Sequence, residues 1–368
     1  MSKKTATITF HSAHNYGSML QAYALQQTLF NLGYDNEIIN LRTDRQVNLY
    51  AAYYNIKNRN IKSIARWFFT YPYRKSIREK YKLFEDFLVN DLRTTREYKT
   101  LEELQKASFS YDCYISGGDQ IWNTSPEDFD WSYYLPFVKN GKRISYAVSM
   151  GPKASEQVKH REIVQKYLKD YNYISVREEG TAEMVKSLVD TPVSQELDPA
   201  LLLSGDEWRK RINNVPIIKG DYILLYSPSY KKSVYDMAAY ISKKLKMKVV
   251  VTLFSRQDYV YHFKSQIATG PWEFLNLIQN ARLVVSGSFH ALVFATLFHT
   301  PFYAVNGDKD NRMVTFLKNM KLQERTINLL DCDDKLERVF DIDFSDAEVF
   351  LSNKRKESLS YLINSIEN

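Results

Sequence analysis

An α/β protein built on two doubly wound parallel sheets is what this 368-residue sequence predicts. Three observations lead there. A strand, a polar loop, an amphipathic helix and a second strand follow one another from residue 5. A second alternating β/α series begins at residue 222. The loops that enter helices carry the glycine, imidazole and hydroxyl residues, where an open parallel sheet binds its ligands. The length also suits two domains, at roughly 100–200 residues each.

The first strand is 5–10 (TATITF), rich in β-branched residues, and 11–17 is a polar loop. Ser18 is placed to cap the helix that follows, whose apolar residues Leu20, Ala24, Leu25, Leu29 and Leu32 recur at helical spacing. Gly33 ends it and 37–40 (EIIN) begins the next strand, completing a βαβ unit. Further strands are expected at 111–116, 144–149 and 173–176, with helices near 155–170 and 179–189. The second series reads as strands 222–226, 248–253, 283–286 and 302–305, with helices at 233–245, 272–280 and 291–298. The expected division is a first domain over 1–200, carrying a basic-aromatic helical insertion at about 45–105, and a second over 201–343. A final helix, 344–368, is expected to pack back on the first domain.

Composition narrows the class. Hydrophobic residues at 44% and charged residues at 25% exclude a disordered, collagenous or coiled-coil chain. Two cysteines, Cys113 and Cys332, are too few and too distant for a disulfide framework or thiolate metal site. The amino-terminal residues lack the apolar stretch of a signal peptide, and no window reaches the length of a membrane span, so a cytoplasmic protein is expected. The net charge of +7 is local: residues 41–100 hold 14 Lys+Arg, 6 Asp+Glu and 12 aromatics, and the rest is near neutral. Aromatics among cations suit single-stranded nucleic acid, but no RNP, KH or helix-turn-helix pattern accompanies them, so no nucleic-acid partner is expected. Two readings remain for this segment: peripheral contact with an anionic membrane surface, or a helical insertion with inward aromatics and solvated charges.

Four loops could carry chemistry. In HSAHNYGS, Asn15, Gly17 and Ser18 stand at a helix N-terminus, which suits an anion or a plain tight turn. In SGGDQIWN, Gly118 permits close backbone approach beside Gln120, and Asp119 either takes a proton from a sugar hydroxyl or caps a helix. In ISVREEG, Arg177 either clamps a carboxylate or phosphate or pairs with its acidic neighbours. In VVSGSFHALVF, Ser288 and His290 open an almost wholly apolar helix, where the imidazole is a general acid or a core residue. Arg312, near a further helix start, makes another potential anion site. No GxGxxG, P-loop, GxSxG, HExxH or CxxC pattern is present, so neither NAD nor a metal is expected.

Taken in order, FHSAHNYGSMLQAYALQQTL, YDCYISGGDQIWN, ISYAVSMG, ISVREEGTAEMV, LDPALLL and SGSFHALVFATLFHTPFYAV resemble the polysaccharide pyruvyl transferase family from about residue 5 to about 330. The stretch near 50–100 lies outside the resemblance. The resemblance implies a GT-B-like arrangement, two Rossmann-like domains facing across a cleft. It implies transfer of pyruvate from phosphoenolpyruvate to two hydroxyls of a sugar, free or lipid-linked, as a cyclic ketal and without a cofactor. In that scheme His290 is the acid, Asp119 the base, and Arg177, Arg312 and the Ser288–His290 turn hold the donor. Ser288 departs from the pattern, since some members carry arginine there. The same architecture would also serve a glycosyltransferase using a nucleotide sugar, or a non-catalytic glycan-assembly protein. The ordered motifs favour pyruvyl transfer.

Overall fold

In a computed structural model of the protein, the described residues are 2–51, 70–151, 159–228, 231–252, 260–328 and 332–368. The chain forms two compact units: 1–59, 85–203 and 353–368 make the first, and 60–84 with 204–352 the second. The helices Arg74–Asp91 and Ser345–Glu367 each contribute residues to both.

The first unit holds a five-stranded parallel sheet of β1 (Lys4–Ile8), β2 (Asp35–Leu41), β3 (Thr94–Tyr98), β4 (Cys113–Gly117) and β5 (Lys142–Tyr146), in the order β3-β2-β1-β4-β5. β4 is buried throughout and β1 from its second residue, as central strands of a covered parallel sheet must be. β3 (TTREY) is an edge strand, and it lies inside the stretch read from sequence as a helical insertion. Its charged, half-exposed side chains give no apolar alternation to detect, and charge is what a sheet edge uses to discourage further pairing. A small parallel pair, β6 (Ile174–Val176) and β7 (Val193–Gln195), completes the unit.

Between β1 and β2 runs α1 (Tyr16–Asn31), buried along nearly its whole length. The sequence placed its cap at Ser18. Asn15 takes that role instead, its Oδ1 accepting from the amides of Gly17 at 2.9 Å and Ser18 at 3.3 Å, so Ser18 lies within the first turn. Gly33, at φ +86°, supplies the left-handed residue after the helix. From the last helix, Leu362 and Ile366 pack with Leu25, Leu29, Ile115 and Tyr146. Burying such side chains contributes about 1.5–3 kcal/mol each.

The second unit holds a six-stranded parallel sheet: β8 (Tyr222–Tyr226), β9 (Lys248–Val251), β10 (Lys264–Ser265), β11 (Leu283–Ser286), β12 (Phe302–Val305) and β13 (Thr326–Ile327), ordered β10-β9-β8-β11-β12-β13. Lys80 belongs to this unit; its ammonium donates to the carbonyl of Thr252, just past β9, at 3.2 Å. Residues 52–69, which include five of the 12 aromatics of 41–100, 155–158 of an expected helix and 253 of an expected strand lie outside the described residues. Among the described residues no helix is long and apolar enough to cross a membrane.

Candidate active site

Strand order reverses between β1 and β4 in the first unit and between β8 and β11 in the second. Beyond the carboxyl ends of such paired strands the connecting loops diverge and leave a crevice. Three of the four sequence-selected loops leave β1, β4 and β11, and so reach these two places.

In the first unit the loops after β1 and β4 are joined by a buried hydrogen bond, Ser18 Oγ donating to Asp119 Oδ2 at 2.5 Å. The other carboxylate oxygen of Asp119 accepts from the Gln120 amide at 2.8 Å. Asp119 has φ +46° and is followed by turns, so it caps no helix. Gly118 is required by both conformation and space: its φ is +64°, and a Cβ would stand 1.8 Å from Gln21 Oε1. Gln21 is itself fixed, donating to Thr9 Oγ1 and to the Ser18 carbonyl. Gln120 accepts from Asn123 Nδ2 at 3.2 Å. Trp122 is core, stacked on Tyr134 at 5.1 Å with its indole N–H donating to Ser116 Oγ.

His11 is buried and bridges Asn40 and the Thr9 carbonyl; burial, the largest influence, holds its pKa below the ordinary value and keeps the ring neutral. His14 is different. Its Nε2 lies 2.8 Å from Glu85 Oε1, and Glu85 is gripped from its other side by the guanidinium of Arg42. Sequence reasoning passed over this group because Glu85 is 71 residues away, in the stretch outside the family motifs.

Arg177, at the end of β6, pairs with acidic side chains of its own chain. Its Nη1 donates to Asp198 Oδ2 at 2.6 Å and its Nε to Glu178 Oε2 at 3.3 Å, all three side chains being buried. Glu178 also accepts from the hydroxyls of Ser149 and Thr181, and Asp198 from the Ala200 amide. Burial pushes the guanidinium pKa down, but Asp198, Glu178 and the more distant Asp119 together drive it up. Asp198 and Glu178 therefore act on this guanidinium as its counter-ions within the chain.

In the second unit, Ser286 ties the two strand ends of the reversal together: its hydroxyl donates to the Tyr226 carbonyl at 2.6 Å and accepts from the Ser288 amide at 3.0 Å. Ser288 is the N-cap residue of the helix Phe289–Leu297, and its side chain makes no capping bond. His290 sits in the first turn of that fully buried helix, its ring edge-on to Phe289 at 5.2 Å. Ser227, following β8, is also buried, and its hydroxyl has no hydrogen-bond partner among the described residues; nothing in its sequence context marked it. Arg312 does not stand as a spare cation. Asp310 caps its helix through the Arg312 amide and grips the guanidinium at 3.0 and 2.6 Å, so the anion position at that N-terminus is taken by the chain's own carboxylate. Among the described residues no group of three or more His, Cys, Asp or Glu side chains could hold a metal ion.

The fold defined by these two sheets is found in nucleotide-sugar enzymes. UDP-N-acetylglucosamine 2-epimerase from Rickettsia bellii is similar over 100% of this chain and 97% of that one, with 9% identity and a TM-score of 0.52. The UDP-GlcNAc 2-epimerase of Methanocaldococcus jannaschii, solved with UDP-GlcNAc and UDP, is similar over 99% of both chains at 13% identity and TM-score 0.51. An alpha-glucosyltransferase in complex with UDP and DNA gives 8% identity and TM-score 0.53 over 99% of this chain and 95% of that one. At such identities the likeness concerns the fold, which is GT-B-like. A search of curated proteins returns no match. The polysaccharide pyruvyl transferase family model matches residues 15–309, most of the chain. The chain belongs to that family: it is a transferase, with a pyruvate donor and a polysaccharide acceptor.

Proposed function

We propose that the donor is phosphoenolpyruvate and that the product is a cyclic pyruvate ketal on two hydroxyls of one sugar. The observation that carries this reading is the turn after β11, where an imidazole stands at the head of a buried helix in a chain of this family. His290 protonates the methylene carbon of phosphoenolpyruvate, leaving an oxocarbenium-like centre at C2. One sugar oxygen bonds to C2 as its hydroxyl proton passes to a base, for which Asp119, bridged to Ser18, serves. The second sugar oxygen then bonds to C2, the C2–O bond to phosphorus breaks, and inorganic phosphate leaves. Of the two hydroxyl protons, one makes good the proton given to the methylene and the other leaves with phosphate. The Ser288 hydroxyl and the amides opening the helix receive the developing anion, an electrostatic role that water would screen. Asn15, Gly17, Gly118 and Gln120 shape the acceptor side, Gly118 through a positive-φ turn against which Gln21 packs.

The charge surplus of 41–100 supports a lipid-linked acceptor met at an anionic membrane surface. Reversing several of those cations should weaken binding to anionic vesicles; unchanged binding returns the segment to a solvated insertion. For the chemistry, His290→Gln should lower phosphoenolpyruvate-dependent ketal formation by about 10²-fold or more, and full activity in that variant would remove His290 from the acid role.

A further inference from the structure

The loop that leaves β4 at the first reversal of strand order carries Glu127, Asp128 and Asp130 besides Asp119. Glu127 is exposed. Asp130 serves the fold: its Oδ1 accepts from the amide and the hydroxyl of Ser132, capping the 3-10 turn Trp131–Tyr134. Asp128 caps none of the described elements. Its segment is anchored through the backbone, where Gln46 Nε2 donates to the Asp128 carbonyl at 3.1 Å and to the Tyr133 hydroxyl at 2.7 Å. The Asp128 side chain belongs to a half-buried residue and accepts at Oδ2 from the Tyr50 hydroxyl at 2.6 Å. Tyr50 closes the helix Asp44–Tyr50, outside the motifs that mark the family.

This carboxylate stands in the field of Asp119. Burial, the largest influence, raises the Asp128 pKa above its ordinary 3.8; the bond from Tyr50 and the residue's own amide oppose the rise, Asp119 adds to it and Arg45 opposes it. Burial also raises the Tyr50 and Tyr133 hydroxyls, and the charges of Asp128 and Asp119 raise both further. Tyr50 therefore keeps its proton and is the donor of the pair. Its ring lies against that of His14 at 6.0 Å, with 28° between the planes. Two carboxylates that feel each other in a half-buried place disfavour their own charged forms. Holding the loop does not require the second one, because Gln46 already grips the backbone at Asp128. A carboxylate offers about four acceptor sites; the phenol and the amide leave others for the hydroxyls of a sugar.

We propose that Asp128 is a specificity-determining residue of the acceptor site: its carboxylate, oriented by Tyr50, accepts hydroxyl hydrogens of a neutral hexose and, with Asp119, turns away uronic acids. This deepens the pyruvyl-transfer reading above and rests on it. The selection comes from charge. A sugar hydroxyl gains a charge-assisted hydrogen bond, whereas a third carboxylate brought beside Asp119 and Asp128 is repelled where water screens it poorly. The cations of the adjoining segment do not offset this. Arg42 is held on Glu85 by two bonds, and Arg45, exposed, does not outweigh the burial of Asp128.

The test compares full-length wild type, Asp128→Asn and Tyr50→Phe with phosphoenolpyruvate and a panel of hexosides and matching uronosides, free and lipid-linked, following ketal and phosphate. Wild type should favour the hexosides by about tenfold or more in kcat/KM. Asp128→Asn keeps the shape and an oxygen for Tyr50 but removes the charge. Its KM for the hexoside should rise about tenfold or more, the loss of one charge-assisted hydrogen bond, while its kcat/KM for the uronoside increases. Its KM for phosphoenolpyruvate should stay unchanged, which also reports an intact fold. In wild type the hexoside KM should rise on acidification as Asp128 takes up its proton, a rise that Asp128→Asn should lack. Tyr50→Phe removes a bond that favours the ionised carboxylate, so its rise should begin at higher pH. Equal loss on both sugars, with the hexoside-to-uronoside ratio and the pH dependence unmoved, would mark a structural role and overturn the assignment. So would an Asp128→Asn hexoside KM within twofold of wild type, or a wild type that prefers uronosides; each leaves pyruvyl transfer intact. No ketal from the wild type on any acceptor of the panel would overturn the pyruvyl-transfer reading itself, and this assignment with it.

Discussion

Replacing Arg177 by methionine tests whether this guanidinium is a structural counter-ion. The substitution keeps an unbranched apolar stem and removes the charge from between Asp198 and Glu178, which are 1% and 2% exposed. Removing one member of a buried ion pair costs about 3–5 kcal/mol, because the remaining charge stays desolvated. Here each carboxylate keeps other donors, the Ser149 and Thr181 hydroxyls on Glu178 and the Ala200 amide on Asp198. That places the expected loss at the lower end, about 3 kcal/mol. For a domain of roughly 150–250 residues, at about 2–4 °C per kcal/mol, the melting temperature should fall by about 6–12 °C. The assay is thermal and urea unfolding followed by far-ultraviolet circular dichroism at neutral pH. Adding Asp198→Asn to the variant removes one stranded charge and should recover a measurable part of the loss. A melting temperature within 2 °C of wild type (roughly 1 kcal/mol or less) would refute the argument and return Arg177 to the ligand-binding role.

Gly118→Ala forces a Cβ into the space of Gln21 at a positive φ; the backbone term alone costs about 1–2 kcal/mol, and both stability and ketal formation should fall, as read by melting and phosphate release. Glu85, held at about 2 in the folded chain against an ordinary 4.5, contributes stability that is fully present above 4.5 and lost as pH falls toward 2. Urea midpoints of Glu85→Gln should accordingly vary less with pH across that window than those of wild type. Burial lowers the Lys80 ammonium to about 7 from 10.5, so between those values the unfolded chain binds a proton that the folded chain does not. Stability should therefore rise with pH from 7 to 10.5, and Lys80→Met should reduce that slope.

What could be read in the sequence was what local pattern controls. The central strands are buried on both faces, and runs such as YILLY announce themselves without any knowledge of their neighbours. β3 escaped because an edge strand with charged, half-exposed side chains lacks the alternation that reveals a strand. The start of α1 was displaced from Ser18 to Asn15 because both residue types cap helices, and only the backbone at Asn15, extended at φ −123° and ψ 125°, decides between them. The switch-point loops were legible as places, while their pairings were not. Arg177 finds Asp198 21 residues on, and His14 finds Glu85 across 71 residues, contacts that topology makes and no spacing rule anticipates. The Asp310–Arg312 pairing is two residues apart and was within reach of the sequence, where the helix-start signal drew attention to the cation alone.

The chain is proposed to move pyruvate from phosphoenolpyruvate onto a sugar diol. Incubating the purified protein with phosphoenolpyruvate and a panel of free and lipid-linked hexosides, followed by mass spectrometry and a phosphate assay, tests it most directly. The acceptor should gain the mass of pyruvic acid less one water, with one inorganic phosphate released per ketal. Acceptors unchanged by phosphoenolpyruvate but extended by a UDP-sugar, with release of UDP, would contradict it and make the protein a glycosyltransferase.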